Sequence, residues 1–169
     1  MINYSHSVSP KEREMEDKDP VHISLKWLKH LAAGATGQEI EARTLQGLQV
    51  VQARKGYFLC TFVVPDRASD ENGNWHAGAI ATLIDVVGAA AVFSLAGHIN
   101  VSVDFSVSFY STVKIDEQVE IEAKIAGVQG KMTSVVVEVR RQNKGELVAL
   151  GKQWMVSNFT VNVNQVSKL

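Results

Sequence analysis

Two hydrophobic periods divide the chain. After Pro20, the residues Val21, Leu25, Leu28 and Leu31 recur at three- and four-residue spacing, with Trp27 beside them. That spacing predicts a short helix opened by the proline and ended by Gly34 and Gly37. Leu45–Arg54 and Tyr57–Val64 read as two strands joined through Lys55-Gly56. Pro65 to Trp75 is dense in Asp, Asn, Ser and Gly and reads as a loop. A nearly uniformly apolar stretch then runs from about His76 to Ala96, with Asp85 its single charge and Gly97 closing it. Beyond Gly97 the period becomes two. In Ile99–Tyr110, Val101, Val103, Phe105, Val107 and Phe109 point one way, and Asn100, Ser102, Asp104, Ser106 and Ser108 the other, which predicts a half-buried strand. Gln118–Val128, Met132–Arg141 and Leu147–Val156 follow as strands, with turns at Gln129-Gly130-Lys131 and Asn143-Lys144-Gly145. No internal repeat is present.

The element order is therefore helix, two strands, long helix, four strands. Strands joined by tight turns imply an antiparallel sheet, and a helix with almost no charge must be wrapped by something. The pattern predicts a strongly curved sheet around one central helix. A membrane span is the competing reading, since the stretch is long enough. It is rich in Ala, Gly and Val, carries Asp85 near its middle and has no Lys or Arg immediately beside either end. Those features favour a buried core helix, and no membrane partner is expected.

Composition narrows the class. The 169 residues, 46% hydrophobic and 21% charged, suit one folded domain. We divide the chain into a polar, highly charged N-terminal tail at 1–19, a domain at 20–158 and a C-terminal tail at 159–169. The tail's Lys, Arg, Asp and Glu exclude a signal peptide there. A net charge of −1 offers no basic field for nucleic acid. The lone Cys60 permits neither an internal disulfide nor a cysteine zinc cluster, and it reads as a small buried apolar group. His6, His22, His30, His76 and His98 lack ligand spacing, so no metal site is expected. No phosphate loop or dinucleotide fingerprint occurs.

Asp85 is the residue that needs an explanation. Its helical neighbours are Ala81, Thr82, Gly88 and Ala89, with Gly78 and Val92 a turn further, so it sits on a stripe of small side chains. Ile80, Leu83, Ile84, Val87 and Phe93 carry the bulk on the other side. Small residues admit a close backbone or a ligand. Asp85 is either a buried structural acid with hydrogen-bond donors around it or a base or nucleophile in a tight cleft. The segment Asn72-Gly73-Asn74-Trp75-His76-Ala77-Gly78 feeds the same helix. Asn74 or His76 caps it, or its free N–H groups hold an oxyanion. Ala77 and Asp85 lie about 12 Å apart along the helix axis. Two groups that act on one carbonyl must each lie within about 3 Å of the reacting atoms. If both act, they come from different subunits. Joint action therefore predicts a dimer of antiparallel helices packed through the small-residue stripe.

With these residues in view, the sequence resembles the hotdog-fold acyl-CoA thioesterases, from about Leu25 to Val156. The resemblance rests on the loop leading to His76-Ala77-Gly78, on Asp85 nine residues after the histidine, and on the strand Val101-Ser102-Val103-Asp104. It implies an α+β hotdog fold: a curved antiparallel sheet wrapped around one long helix, paired into homodimers and then into dimers of dimers. It implies that Asp85 acts as base or nucleophile toward a thioester, and that the Ala77 N–H polarises the carbonyl, with His76 and Gly78 beside it. Ser102 would help place water. Phe109-Tyr110-Ser111-Thr112 and Gln129-Gly130-Lys131-Met132 would contact CoA, with Lys131 the best placed cation. Arg140, Arg141 and Lys152 read as ordinary solvated charges. The family has an asparagine six residues before the histidine, where this chain has Asp70; an ionised carboxylate there would repel an oxyanion, and Asn72 is the expected substitute.

The expected reaction is hydrolysis of acyl-CoA, fatty acyl-CoA first, to free acid and CoA. No cofactor is expected, because CoA is part of the substrate. An aromatic acyl-CoA thioesterase and a non-catalytic acyl-CoA-binding hotdog module are the alternatives. The chain ends Ser167-Lys168-Leu169, the form of a peroxisomal address. It predicts a peroxisomal import receptor as a partner and the peroxisome as location, with the cytoplasm as the alternative.

Overall fold

The structure is a computed structural model and describes residues 18–142 and 145–157. The turn at 143–144, the segment 1–17 and the terminal Ser167-Lys168-Leu169 lie outside the described residues. Helix α1 spans Pro20–Ala32, α2 Glu39–Leu45 and α3 Ala77–Ala96. The strands are β1 Gln49–Arg54, β2 Tyr57–Val63, β3 Val101–Phe109, β4 Gln118–Gln129, β5 Met132–Arg141 and β6 Leu147–Val156. All six form one antiparallel sheet in the order β1-β2-β4-β5-β6-β3. This is the α+β architecture read from the sequence.

The stretch read as a strand from Leu45 differs. Leu45 ends α2, and β1 begins only at Gln49. The local signal for α2 is a capping box, in which the Gln38 N–H donates to Glu41 Oε2 at 2.8 Å. An Arg43–Glu39 pair one turn apart adds to it. At seven residues the helix is too short for hydrophobic periodicity to reveal it.

Helix α3 is the core. Its Ile80, Leu83, Ile84, Val87, Ala90, Ala91 and Val92 are buried, against Phe58, Phe62, Ile121, Val135 and Val137 from the sheet. On length and composition the helix could cross a membrane, with a mean hydropathy of 2.1, but two thirds of that stretch is buried inside the fold. Gly97 stops it with φ 78°, a left-handed conformation that a side chain disfavours. Helix α1 crosses α3, with Ser24 Oγ donating to the Ala90 carbonyl at 2.7 Å and Trp27 edge-on to Phe93 at 6.1 Å. Cys60 lies fully buried in the core, and burial pushes its thiol up to about 12. A neutral thiol in that setting is a packing group.

At β6 the sheet approaches α3 closely. A Cβ on Gly151 would overlap Ile84 Cγ2. Replacing Gly151 with Ala should therefore overpack the helix–sheet contact and destabilise the fold by about 1–3 kcal/mol. Thermal unfolding should show a Tm lower by several degrees.

Candidate active site

The site begins at a β-bulge. The β3–β6 register runs Phe105↔Gln153 and Asp104↔Trp154, then jumps to Ser102↔Met155, leaving Val103 as the extra residue. Residues opposite each other across an antiparallel pair share a face. Gln153 and Met155, two apart on β6, both face α3, so Phe105 and Ser102 face it too. Simple alternation puts Ser102 with Asp104 and opposite Phe105. The bulge reverses that assignment and turns the Ser102 hydroxyl toward the helix.

There Ser102 meets Asp85. Ser102 Oγ donates to Asp85 Oδ1 at 3.0 Å, and Gln153 Nε2 donates to the same oxygen. Gln153 Nε2 also reaches Ser102 Oγ, at 3.4 Å. Asp85 Oδ2 has no hydrogen-bond partner among the described residues. Asp85 itself is half-buried, on the face of α3 that the sheet leaves uncovered. The hydroxyl proton of Ser102 is thus committed to Asp85 and one lone pair to Gln153, which leaves one lone pair for a water.

The sequence pattern did not single out Gln153. The signal lay in β6, where Ala149, Gly151, Gln153 and Met155 are buried while Lys152 is exposed. A glutamine in the inward phase of a core strand is the anomaly that could have found it. The small-residue stripe also divides. Gly78, Ala81 and Ala89 lie on the accessible face of α3, but Gly88 is buried, and a Cβ there would overlap Gln153 Oε1. Gly88 therefore makes room for the glutamine and not for a partner helix.

At the start of α3, His76 is the N-cap: its Nδ1 accepts from the Gly78 N–H at 3.0 Å. Asn74 is not the cap. The Gly78 N–H is thus occupied, whereas the Ala77 N–H has no backbone acceptor among the described residues and is exposed. The cap is fixed by its surroundings, since the Trp75 N–H donates to the Val113 carbonyl at 2.7 Å and the His76 N–H to that of Ala68 at 2.9 Å.

The two segments expected at CoA lie far apart within one chain. Met132 pairs with Val156, which also pairs with Val101, so the Gln129-Gly130-Lys131 turn is at the Val101 end of the sheet. Phe109-Tyr110-Ser111-Thr112 is at the other end, about 26 Å away at strand rise. Lys131 is exposed. Arg140 is a surface charge, as expected, whereas Arg141 is not an ordinary solvated one. Arg140 is paired with Glu138 at 2.8 Å, and Arg141, with a side chain only 16% exposed, is held by Glu117, Glu146 and the Thr112 carbonyl. Among the described residues no cluster of three His, Cys, Asp or Glu could hold a metal ion.

Comparison with known proteins gives this arrangement its class. The Thioesterase superfamily model matches residues 72–148, which take in the end of the loop, α3 with Asp85 and the strands β3, β4 and β5, and which stop short of Gln153. A Caenorhabditis elegans protein named as an esterase is 32% identical over 111 residues, 65% of this chain and 66% of that one. Mouse acyl-coenzyme A thioesterase 13 is 28% identical over 111 residues, 65% of this chain and 79% of the relative. Zebrafish thioesterase superfamily member 2 superposes with a TM-score of 0.72 at 24% identity, covering 79% of this chain and 96% of that one, which establishes the shared fold. With its match to the Thioesterase superfamily model and the hotdog fold of its neighbours, the chain is a hotdog-fold thioester hydrolase.

Both carboxylate oxygens of Asp70 are engaged within its own loop. Its Oδ1 accepts the N–H groups of Asn74 at 2.9 Å and Asn72 at 2.8 Å, and its Oδ2 accepts from Asn74 Nδ2 at 3.2 Å. The Asn74 N–H has the largest effect and holds the Asp70 carboxyl below the usual carboxylate range; burial, next in size, opposes it, and the Asn74 side chain, the Asn72 N–H and the Lys114 charge reinforce the lowering. Asp70 is thus the organiser of the loop that aims His76. Asn72 is exposed, with its carbonyl taken by Lys114 Nζ at 3.0 Å, and no contact joins its side chain to Asp85 or Ser102. A carboxyl with a depressed folded pKa stabilises the fold above its unfolded value, and that stability is lost as pH falls through the folded value. Asp70→Asn should therefore lower Tm near neutral pH, and the deficit should shrink as pH falls below about 4. A deficit constant from pH 7 to pH 3 would contradict the ionic part of this role.

Proposed function

We propose that the protein hydrolyses acyl-CoA to the free acid and CoA, with fatty acyl chains as the first substrates to test, at sites completed by two subunits. The observation that carries this is Asp85: a half-buried carboxylate with one oxygen held by Ser102 and Gln153 and the other unengaged. The acyl-CoA assignment draws on the acyl-coenzyme A thioesterase among its relatives.

In the proposed reaction Asp85 Oδ2 takes a proton from a water as the water oxygen attacks the thioester carbon. The negative charge that develops on the carbonyl oxygen is held by the Ala77 N–H and the positive end of α3. Collapse breaks the carbon–sulfur bond, and the proton on Asp85 goes to the departing CoA sulfur. Because Ala77 and Asp85 of one chain are about 12 Å apart along the axis, the two come from different subunits.

The dimer reading rests on β3. It is one of the two edge strands of the sheet, yet Val101 and Phe109 are about half exposed and Ile99, Val103, Phe105 and Tyr110 are also open. An exposed apolar edge strand is a template for another copy. Two chains meeting there in antiparallel fashion bring the Val101 end of one sheet to the Phe109 end of the other. That also brings the two CoA-contacting segments toward one ligand, with Lys131 offered to its phosphates.

The test is CoA release from straight-chain and aromatic acyl-CoAs. Asp85→Asn should reduce kcat by about a hundredfold or more while the protein stays folded. Preference for benzoyl- or phenylacetyl-CoA over fatty acyl-CoA would move the reading to an aromatic acyl-CoA thioesterase; binding without turnover would replace it with an acyl-CoA-binding module. For the assembly, Val101→Lys should shift the protein toward monomer in sedimentation, with activity lost over the same concentration range.

A further inference from the structure

Gln153 is 1% exposed, yet its amide is only half satisfied. Its nitrogen has two acceptors, Asp85 Oδ1 and Ser102 Oγ. Its oxygen is buried with no partner and lies against Gly88. Turning the amide over would set Oε1 against a carboxylate oxygen, acceptor to acceptor, so the chemistry of Asp85 fixes the orientation. A buried carbonyl left unpaired destabilises the fold, and an apolar side chain of the same length would avoid the penalty. Packing therefore does not explain a glutamine here. Nor does it explain Gly88, which sits mid-helix where alanine is intrinsically better, but where any Cβ would overlap the amide oxygen.

We infer that Gln153 is a positioning residue for the hydrolysis: with Ser102 it pins Asp85 Oδ1, so that Oδ2 alone is presented to the attacking water, and Gly88 is the seat that lets it do so. A neutral amide suits the task. An ammonium or guanidinium group at this place would pair with Asp85 and weaken it as a base, and a second carboxylate would compete for the proton. Among the described residues, the hydrogen-bond partners of Asp85 are Ser102 and Gln153, and neither titrates. The neighbours on its own helix are Ala81, Thr82, Gly88 and Ala89. This inference rests on the proposed role of Asp85.

Two variants of the full-length protein test it, alongside Asp85→Asn. Gln153→Met keeps length and shape but removes both donors. It should hold or raise Tm, because the unpaired oxygen is gone, while kcat falls about tenfold or more and KM stays within about twofold. Gln153→Glu is isosteric and sets a second carboxyl against Asp85. It should move the acid limb of the pH–rate profile upward by about one unit or more, a change that a merely structural residue would not cause. Unchanged kcat in Gln153→Met would overturn the inference. So would a parallel loss of Tm and kcat in that variant with an unmoved acid limb in Gln153→Glu. If Asp85→Asn turns over like wild type, the role of Asp85 fails and the inference falls with it. If Asp85→Asn collapses and the Gln153 variants do not, only the inference fails.

Discussion

A twenty-residue helix whose only charge is Asp85 cannot stand in water, and it cannot be wholly wrapped without stranding that charge. The fold resolves the conflict by curving one sheet around the bulky side of α3 and leaving the small side open. Everything that could act on a substrate lies on that open side: Asp85 midway along it, the free Ala77 N–H at its start and the hydroxyl of Ser102 across from it. Burial of the helix and placement of the acid are one constraint. Gly151 shows how closely it is met, since the sheet approaches α3 there to within the space of a missing methyl group.

The arrangement around the acid trades stability for orientation. Ser102 reaches it only because a bulge at Val103 shifts the phase of β3. Gln153 reaches it only by burying an oxygen without a partner. An apolar core would need neither device. Their presence beside the one charged residue of the helix is what supports the proposed catalytic role of Asp85 over a buried structural acid, the two readings that the sequence pattern left equal.

The same logic extends to the sheet edge. A strand exposed on both sides and rich in Val and Phe is unusual at the edge of a sheet, where charge or proline ordinarily blocks further pairing. Here the apolar edge and the accessible small residues of α3 support the proposed dimer, and so does the distance between Ala77 and Asp85 if both act on one thioester.

Most of the framework was legible in the sequence because it rests on local periodicity. The four later strands, the hairpin turn at Gln129–Lys131, the start of α1 at Pro20 and the end of α3 at Gly97 follow from alternation, caps and glycine. Asp85 stood out because a charge in an apolar helix is visible in one dimension. The Thioesterase superfamily resemblance was readable from His76-Ala77-Gly78, Asp85 and the Val101–Asp104 strand. Helix α2 was not legible, because seven residues are too few to show a period. The facing of Ser102 was not, because a bulge breaks alternation without a signature in the residues themselves. The loop role of Asp70, the pairing of Arg140 and Arg141, and the contact of Gln153 with Asp85 were decided only in three dimensions. Each joins residues from separate turns or strands, and sequence period fixes which way a side chain points but not what it meets.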